Sequence, residues 1–591
     1  MKTIKLLFFV LFFSIFSLQA KTITGTVTDA STGEPLPGVN IVIKGTNTGA
    51  VTDFDGKYTI EAQRGDVLVF SFLGYKTKTK KVGKSDIINV KLKEDGNTLQ
   101  DVVISAVSVK RVKKSMGYSV RRIPPVNTES YTKIKENGFQ LTKNKPLSTF
   151  SIDVDKAAYS NIRRMINNGE DIPKDAVKIE EMINYFDYEY PQPDGEHPFS
   201  INTEVGKCPW NEKHKLVKIG LQGKIIPQDD LPPANLVFLL DVSGSMYDQN
   251  KLPLLKKSFK LLVNQLREQD KVSIVVYAGA AGVVLRPTPG NKKQKILEAL
   301  DKLEAGGSTA GGEGLILAYK LAKENFIKNG NNRVIMATDG DFNTGRHISD
   351  SDMEDLIVEQ RKSGVFLTVL GFGMGNYKDS KLETLADKGN GNHAYIDTMQ
   401  EANKVFGKEF GGTLFTIAKD VKIQVEFNPE KVQAYRLIGY ENRLLNDEDF
   451  IDDKIDAGEI GSGHTVTALY EIIPAGVASE FVKKIPELKY SEIKASGKFN
   501  DELLTVKVRY KKPDKDKSIE IVTVVPDKEN LKPGNDFNFA ASVAMFGMLL
   551  RDSEYKQDAT YQKVHDLAQK SKGKDKDGYR SEFVRLVETF L

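Results

Sequence analysis

Three short side chains that carry oxygen follow an apolar run at alternate positions in "FLLDVSGSMYDQN", residues 238–250. They are Asp241, Ser243 and Ser245. Carboxylates and hydroxyls accept hydrogen bonds and coordinate hard cations, so such a trio can form a turn, cap a helix or hold a metal ion. On its own, the Asp-x-Ser-x-Ser pattern does not decide among these three roles.

Two further loops offer oxygen ligands in a comparable position. Thr309 lies in "AGGSTAGGEG" just before a predicted helix, and Asp339 lies in "MATDGDFNTG" at the end of another apolar strand. Two carboxylates and three hydroxyls at one point would suit Mg²⁺, with Mn²⁺ and Ca²⁺ as alternatives. The set contains no His or Cys, which argues against zinc. One coordination position would stay open to solvent, where a carboxylate of another molecule could complete the shell.

The elements that would position these loops alternate between strand and helix over residues 234–415. Apolar strands are predicted at "NLVFLLD", "KVSIVVYAG", "RVIMATDG" and "VFLTVLGFG", with amphipathic helices such as "KLPLLKKSFKLLVNQLR" between them. This order predicts a doubly wound parallel sheet of the Rossmann type, covered by helices on both faces. Such sheets bind ligands at the carboxyl ends of their strands, which is where Asp241 and Asp339 fall.

The motifs "DVSGSM" and "TDGD", with Thr309 between them, resemble the von Willebrand factor type A domain and its metal-ion-dependent adhesion site. The resemblance covers residues 234–415. It implies that a Mg²⁺ ion is held here and is completed by an Asp or Glu of a protein partner, in a binding or scaffolding role. By the same resemblance the metal ligands are Asp241, Ser243, Ser245, Thr309 and Asp339.

Other interpretations of these residues remain open. Ser243 and Ser245 could cap the following helix, and Asp339 could form a turn. A metal-dependent hydrolase of the cell envelope would need a base or nucleophile beside the ion, and His347 is the nearest candidate along the sequence. We find no HExxH, phosphate-cradling or nucleophile-elbow motif, so we expect no enzymatic activity. A purely structural envelope protein is the third alternative.

The first twenty residues predict export. Lys2 and Lys5 precede the apolar run "LLFFVLFFSIFSL", and the small residue Ala20 follows. The run is shorter than the roughly 20 residues of a bilayer span, which favours a cleaved signal peptide over a membrane anchor. We find no later segment apolar enough to span a membrane. The expected location is therefore the periplasm, the outer membrane or the cell surface.

Residues 21–95 alternate polar and apolar positions between turn residues, as antiparallel strands do. The stretch "GTVTDASTGEPLPGVNIVIKGTNTGAVTDFDGKYTI" resembles the carboxypeptidase-regulatory-like domain, which implies a seven-stranded β-sandwich without catalysis of its own. Residues 98–120, "TLQDVVISAVSVKRVKKSMGYSV", are similar to the segment that follows this sandwich in TonB-dependent outer-membrane receptors. This similarity favours an envelope context. Residues 96–147 are predicted to be a linker.

The A-type domain has predicted flanks on both sides. Residues 148–233 mix helices and strands, residues 416–533 form a β-rich C-terminal domain, and residues 534–591 form a helical tail. The segments "FSIDVDKAAYSNIRRMINNGEDIPKDAVKIEEMINYFDYEYPQP" and "FGMLLRDSEYKQDATY" resemble the two ends of a family of bacterial proteins built around this domain. The whole chain is thus predicted to be a multidomain α/β protein.

Composition sets limits on the remaining possibilities. With 591 residues the chain is too long for a single core, and its 40% hydrophobic and 28% charged residues are ordinary for a soluble protein. A net charge of +4 gives no reason to expect nucleic acid as a partner. Cys208 is the only cysteine, so an intrachain disulfide is impossible, and we expect it to be buried by packing.

Overall fold

The fold comes from a computed structural model, which describes residues 21–36, 39–44, 46, 48–53, 55–72, 75–93, 127–153, 155–279, 281–307, 311–340, 349–409, 415–482, 497–528 and 532–591. The predicted signal peptide, residues 1–20, and most of the predicted linker lie outside these residues. So do Thr309 and His347. The chain divides near residue 118 into two compact units.

The N-terminal unit is a small β-sandwich. Its described strands are β1 (Lys21–Asp29), β2 (Asn40–Ile43), β3 (Gly49–Val51), β4 (Lys57–Ala62), β5 (Val67–Ser71), β6 (Lys78–Lys81) and β7 (Val90–Leu92). They form two sheets in the orders β4–β1–β7 and β3–β2–β5–β6. Alternate residues of the strands point inward, so that Ile23, Ile41, Ile60 and Phe70 are buried in a shared core. The predicted N-terminal sandwich is confirmed.

The second unit begins with elements that precede the A-type domain. They are β8 (Gln140–Leu141), β9 (Leu147–Ser151), α1 (Ala157–Asn168), α2 (Ile179–Asn184), β10 (Phe199–Cys208) and β11 (Asn211–Gly223). Gly169, in the left-handed region at φ 66°, ends α1. Residues 127–147 fall within the predicted linker, yet they make defined contacts: the Thr128 N–H donates to the carbonyl of Gly375 (2.8 Å).

The A-type domain alternates strands and helices as the sequence predicts. Its described elements are β12 (Ala234–Asp241), α3 (Leu252–Gln265), β13 (Lys271–Tyr277), β14 (Ala281–Pro289), α4 (Lys293–Asp301), α5 (Gly311–Glu324), β15 (Asn331–Thr338), α6 (Asp350–Lys362), β16 (Val365–Phe372), α7 (Asp379–Lys388), β17 (His393–Ile396) and α8 (Met399–Ala402). The strand order is β14–β13–β12–β15–β16–β17, and β12 pairs in parallel with both β13 and β15. Every residue of β12 and of β15 is buried, as both faces of the sheet are covered. The doubly wound sheet is confirmed.

The C-terminal part adds strands and then helices. They are β18 (Thr416–Phe427), β19 (Val432–Ile438), β20 (Leu444–Leu445), β21 (Gly458–Gly461), β22 (Thr465–Pro474), β23 (Glu502–Lys511), β24 (Ile519–Pro526), α9 (Asn535–Arg551), α10 (Tyr561–Ser571) and α11 (Tyr579–Glu588). Strands from both sides of the A-type domain share two sheets, in the orders β10–β11–β22–β19–β8 and β20–β9–β18–β23–β24. The N-terminal flank and the β-rich region, separate in the sequence, therefore fold together.

A helical core completes this unit. Helices α1, α2, α9, α10 and α11 contribute buried apolar residues to one cluster, which also holds Trp210 and Cys208. Cys208 is 1% exposed, which confirms its packing role. Within the described part of the chain, none of the helices combines the length and apolar character that a membrane crossing requires.

Candidate metal centre

The centre lies at the carboxyl ends of two neighbouring parallel strands. Asp241 is the last residue of β12, and Asp339 directly follows β15. The register pairs Leu240 with Ala337, so Asp241 lies level with Thr338 and Asp339 lies one residue further along. Both residues are fully buried. The sequence predicts this arrangement, because parallel neighbours end at the same edge of a sheet.

Asp241 is held by hydrogen bonds from both sides. The Ser243 N–H donates to Oδ1 of Asp241 (2.9 Å), and the Thr338 hydroxyl donates to Oδ2 (3.2 Å). Burial raises the pKa of Asp241 to about 6, the hydrogen bonds from Ser243 oppose that rise, and the nearby Asp339 carboxylate adds to it. A buried carboxylate beside a second one is favoured in its charged form when a cation lies between them.

Ser243 and Ser245 present their hydroxyls next to each other. The two Oγ atoms are 2.9 Å apart. Ser243 precedes the short 3₁₀ turn Gly244–Tyr247 and its side chain makes no capping hydrogen bond there. Helix α3 begins after Lys251, with no side-chain cap. The helix-capping interpretation of the two serines is therefore wrong. Ser243 is buried whereas Ser245 is exposed, so the hydroxyl pair runs from the protein interior to solvent.

Asp339 is fixed by a lysine and an asparagine that the sequence analysis missed. Lys251 Nζ donates to Oδ2 of Asp339 (2.8 Å), and so does Asn376 Nδ2 (3.0 Å). Burial raises the pKa of Asp339, but the Lys251 ammonium and hydrogen bonds from Asn376 and Ser245 hold it below the usual value. Asn376 follows β16, the next strand along the same sheet edge, and that position is the signal that could have identified it.

The second loop also reaches this edge of the sheet. The Gly244 N–H donates to the carbonyl of Gly307 (3.0 Å), and the Gly306 N–H donates to the carbonyl of Val242 (2.8 Å). The loop that carries Thr309 thus pairs with the loop that carries the serines. Thr309 itself lies outside the described residues.

The donor set suits a hard divalent cation. Asp241, Ser243, Ser245 and Asp339 offer carboxylate and hydroxyl oxygens, which Mg²⁺, Mn²⁺ and Ca²⁺ prefer. Ser245 Oγ contacts Ser243 Oγ and hydrogen-bonds Asp339, so it connects the first and third loops. These four residues are brought together by the fold.

Three of the histidines described elsewhere in the chain have polar partners of their own. His214 contacts Glu471 (Nδ1 to Oε1, 2.6 Å), and His393 contacts the Tyr377 hydroxyl through Nε2 (2.8 Å). His197 contacts the Tyr510 hydroxyl at 2.9 Å. These rings serve the packing of the β-rich region and of the sheet edge.

Comparison with known proteins identifies the family. A protein of Escherichia coli (strain K12), described as uncharacterized protein YfbK, is 42% identical to this chain over 471 residues. The match spans 78% of this chain and 81% of the E. coli protein. The chain belongs to the YfbK family. A family model for the C-terminal part of YfbK matches residues 412–591.

Further family models match the rest of this YfbK-family protein. The von Willebrand factor type A domain model matches residues 235–408, and a model described as von Willebrand factor matches residues 125–218. The CarboxypepD_reg-like domain model matches residues 23–104. Both resemblances drawn from the sequence are confirmed.

The N-terminal part has relatives of another kind. TonB-dependent receptor P26 of Formosa agariphila is 50% identical over 95 residues, and TonB-dependent receptor SusC of Bacteroides thetaiotaomicron is 44% identical over 108 residues. These matches span 16% and 18% of this chain but only 9% and 10% of the receptors. A solved structure described as von Willebrand factor type A from Catenulispora acidiphila is 16% identical, with a TM-score of 0.38, over 68% of this chain and 91% of that one.

Proposed function

We propose that this YfbK-family protein is an exported adhesion or scaffolding protein that binds a protein partner through a divalent cation. Asp241, Ser243, Ser245, Thr309 and Asp339 would hold the ion, with Mg²⁺ as the expected metal and Mn²⁺ or Ca²⁺ as alternatives. The ion would supply a Lewis-acidic position that accepts an Asp or Glu side chain of the partner. The proposal includes no catalytic step.

The observation that carries the proposal is the convergence of hard oxygens at a sheet edge that is open on one side. Asp241 and Asp339 are sealed from solvent, whereas Ser245 is exposed. A site sealed on all sides could only stabilise the fold. A site with one exposed ligand can also meet another molecule.

Charge supports an acidic partner. Asp241 and Asp339 contribute two negative charges. The Lys251 ammonium, 2.8 Å from Asp339, contributes one positive charge, which leaves a net charge of about −1 before an ion binds. A divalent ion added to this set leaves a net positive charge at the exposed face. An approaching carboxylate would be attracted to that charge, and a lysine or arginine of a wrong partner would be repelled.

The N-terminal part supports a location in the cell envelope. The similarity of residues 23–104 to a domain found at the start of TonB-dependent receptors favours the same compartment for this chain. Export by residues 1–20 and location in the periplasm, at the outer membrane or on the cell surface are parts of the proposal.

Isothermal titration of Mg²⁺ tests the ligand assignment. We expect Asp241→Asn to weaken Mg²⁺ binding at least about 100-fold, because it removes a direct charged ligand. Asp248→Asn is the matched control, since Asp248 is exposed in the same loop and is not in the ligand set. Equal affinity in the wild-type and Asp241→Asn proteins would refute the assignment.

Capture of partners from an envelope extract tests the function. Immobilised wild-type protein should retain partners in Mg²⁺ and release them in EDTA, and the Asp241→Asn protein should retain none. The same partners under all conditions would favour a purely structural role. Hydrolysis of a generic peptide or phosphoester that is lost in the Asp339→Asn protein would favour the hydrolase alternative.

A further inference from the structure

A second group of buried carboxylates lies apart from the metal centre and shares no residue with it. Asp155 precedes α1, Glu181 lies on α2 and Glu383 lies on α7. One carboxylate oxygen of each lies within 4.8 Å of the other two. All three residues are at most 5% exposed. Oxygens at this spacing match the separation of ligands around one divalent cation, whose oxygen ligands stand about 2.0–2.6 Å from it.

The positive side chains nearby do not balance the carboxylates. Lys178 Nζ contacts Glu181 at 3.1 Å, Asp379 at 2.8 Å and Glu383 at 2.9 Å. The Arg443 guanidinium contacts Glu383 again and three more carboxylates, those of Asp153, Asp155 and Asp387. In the described residues, two cations therefore face six carboxylates in this cluster. Buried charge of one sign calls for a counter-ion or for protons.

One oxygen of the group has no hydrogen-bond partner among the described residues. Asp155 Oδ1 accepts the backbone N–H of His393 (2.6 Å), but the buried Oδ2 accepts nothing. Nη2 of Arg443 lies 3.5 Å from it. An unsatisfied carboxylate oxygen in the protein interior is costly, and a bound cation would satisfy it.

A buried imidazole nitrogen faces the same cluster. Tyr377 donates its hydroxyl proton to Asp379 Oδ1 (3.2 Å), so it accepts from Nε2–H of His393 (2.8 Å). Nδ1 of His393 then carries a lone pair, has no hydrogen-bond partner in the described chain and lies 4.0 Å from Asp379 Oδ1.

A cavity borders one member of this group. It has a volume of about 920 Å³, and its lining includes Asp155, His393, Asp387 and Arg443. Asp155, which carries the unpartnered oxygen, is therefore the member of the group that lies beside open space.

We propose that Asp155, Glu181 and Glu383 bind a second divalent cation of the oxygen-preferring class, with Mn²⁺ or Ca²⁺ as the best candidates. The ion would join α2 and the segment before α1 to α7 of the A-type domain. A chain with a single cysteine has no intrachain disulfide with which to make such a link. The site does not depend on the proposed function of the first centre.

Mn²⁺ titration followed by electron paramagnetic resonance tests the proposal. The wild-type protein should bind two ions, and the Asp241→Asn protein, which lacks the first centre, should still bind one. Adding Asp155→Asn to Asp241→Asn should weaken the remaining ion at least about tenfold, since loss of even an indirect partner of a ligand costs that much. Asp153→Asn is the matched control, since this neighbour also contacts Arg443 but lies outside the three-carboxylate group.

A second measurement does not require a change in the cluster. The melting temperature of the Asp241→Asn protein should rise by several degrees on moving from EDTA to Mn²⁺, because an ion that binds only the folded state stabilises it. Absence of bound Mn²⁺ in the Asp241→Asn protein, or an unchanged affinity after Asp155→Asn, would overturn the proposal. If no Mn²⁺ binds and the free energy of unfolding falls as the pH rises through 8, the cluster holds shared protons and no ion. The reason is that burial raises the pKa of Glu181 to about 8, so its carboxyl group loses its proton in that range.

Discussion

Two sets of charged residues in the second unit contain the same residue types but have different roles. The candidate metal centre, which includes Asp241, Ser243, Ser245 and Asp339, is exposed at Ser245. The other set, which we name the ionic seam, joins α1 and the residue before α1 to the A-type domain. Its pairs are Lys156–Glu409, Arg163–Asp397 and Arg163–Glu401.

The difference lies in how the charges are satisfied. Arg163 and Glu401 are 1% and 2% exposed and 2.8 Å apart, so each serves as the counter-ion of the other. In the metal centre, Asp339 has Lys251, whereas the hydrogen-bond donors that the described residues offer to Asp241 are neutral. Complete pairing suits a seam that holds two parts of the fold together. Incomplete pairing suits a centre that takes up an ion.

The largest expected effect is on the seam. Arg163→Met should lower the free energy of unfolding by about 3–5 kcal/mol, because it leaves Asp397 and Glu401 buried without a counter-ion. Urea unfolding of the wild-type and Arg163→Met proteins measures this loss of unfolding free energy. Lys507→Met is the control: its pair with Glu426 is partly exposed, and loss of that pair should cost less than about 1 kcal/mol. Similar losses in both proteins would remove the distinction between sealed and exposed pairs.

Replacing Lys251 should make the free energy of unfolding depend on bound metal. In EDTA, Lys251→Met should cost about 3 kcal/mol, since the buried Asp339 loses its cation. Saturating Mg²⁺ should recover most of this loss, because the ion replaces the lost charge. The control is Lys260→Met on α3, the helix that Lys251 precedes, because the pair of Lys260 with Asp301 is exposed. A loss that Mg²⁺ does not recover would separate Lys251 from the metal centre.

The seam should also respond to acid. Burial would raise the pKa of Glu409, but Lys156 and Lys404 lower it to about 2. A lowered carboxyl pKa stabilises the fold above the unfolded value of 4.5, and this stabilisation is lost as the pH falls from there towards 2. Since its side chain is 19% exposed, we expect Glu409→Gln to cost about 2 kcal/mol at neutral pH.

Urea unfolding at a series of pH values measures this dependence. The difference in the free energy of unfolding between the wild-type and Glu409→Gln proteins should shrink as the pH falls towards 2, because Glu409 becomes protonated. Glu426→Gln, at a carboxylate that is 51% exposed, should show little difference at any pH. A constant difference across the range would contradict the assignment.

The smallest expected effect concerns Ser245. Ser245→Ala should weaken Mg²⁺ binding about tenfold, or about 1.4 kcal/mol, and change stability by less than about 0.5 kcal/mol because the residue is exposed. Ser351→Ala is the matched control, since Ser351 Oγ lies 2.9 Å from Ser349 Oγ in the same two-residue spacing but away from the strand ends. Titration calorimetry that shows equal losses in both variants would contradict a role for Ser245.

The sequence predicts the sheet and the positions of its aspartates well. Buried parallel strands are continuous apolar runs, and the ends of neighbouring strands align, so Asp241 and Asp339 could be placed from pattern alone. Periodicity decides such features because each depends on local sequence.

The remaining features depend on contacts between distant parts of the chain. Lys251 precedes an amphipathic helix, where a lysine is ordinarily solvated, and only the fold brings it to Asp339, 88 residues away. Arg163 and Asp397 are 234 residues apart. The alternation of polar and apolar residues predicts that β9 and β18 are strands. It does not predict that these two strands, which lie on either side of the A-type domain in the sequence, pair with each other. No local pattern encodes these partners.

The position of β12 determines how the centre would bear a mechanical load. Asp241 ends a strand that is hydrogen-bonded along its length to β13 on one side and β15 on the other. Tension applied at Asp241 along the strand would strain both ladders at once, in shear, whereas a strand at the edge of a sheet could be peeled away one bond at a time. A partner attached here would pull on an interior strand, which is anchored on both sides.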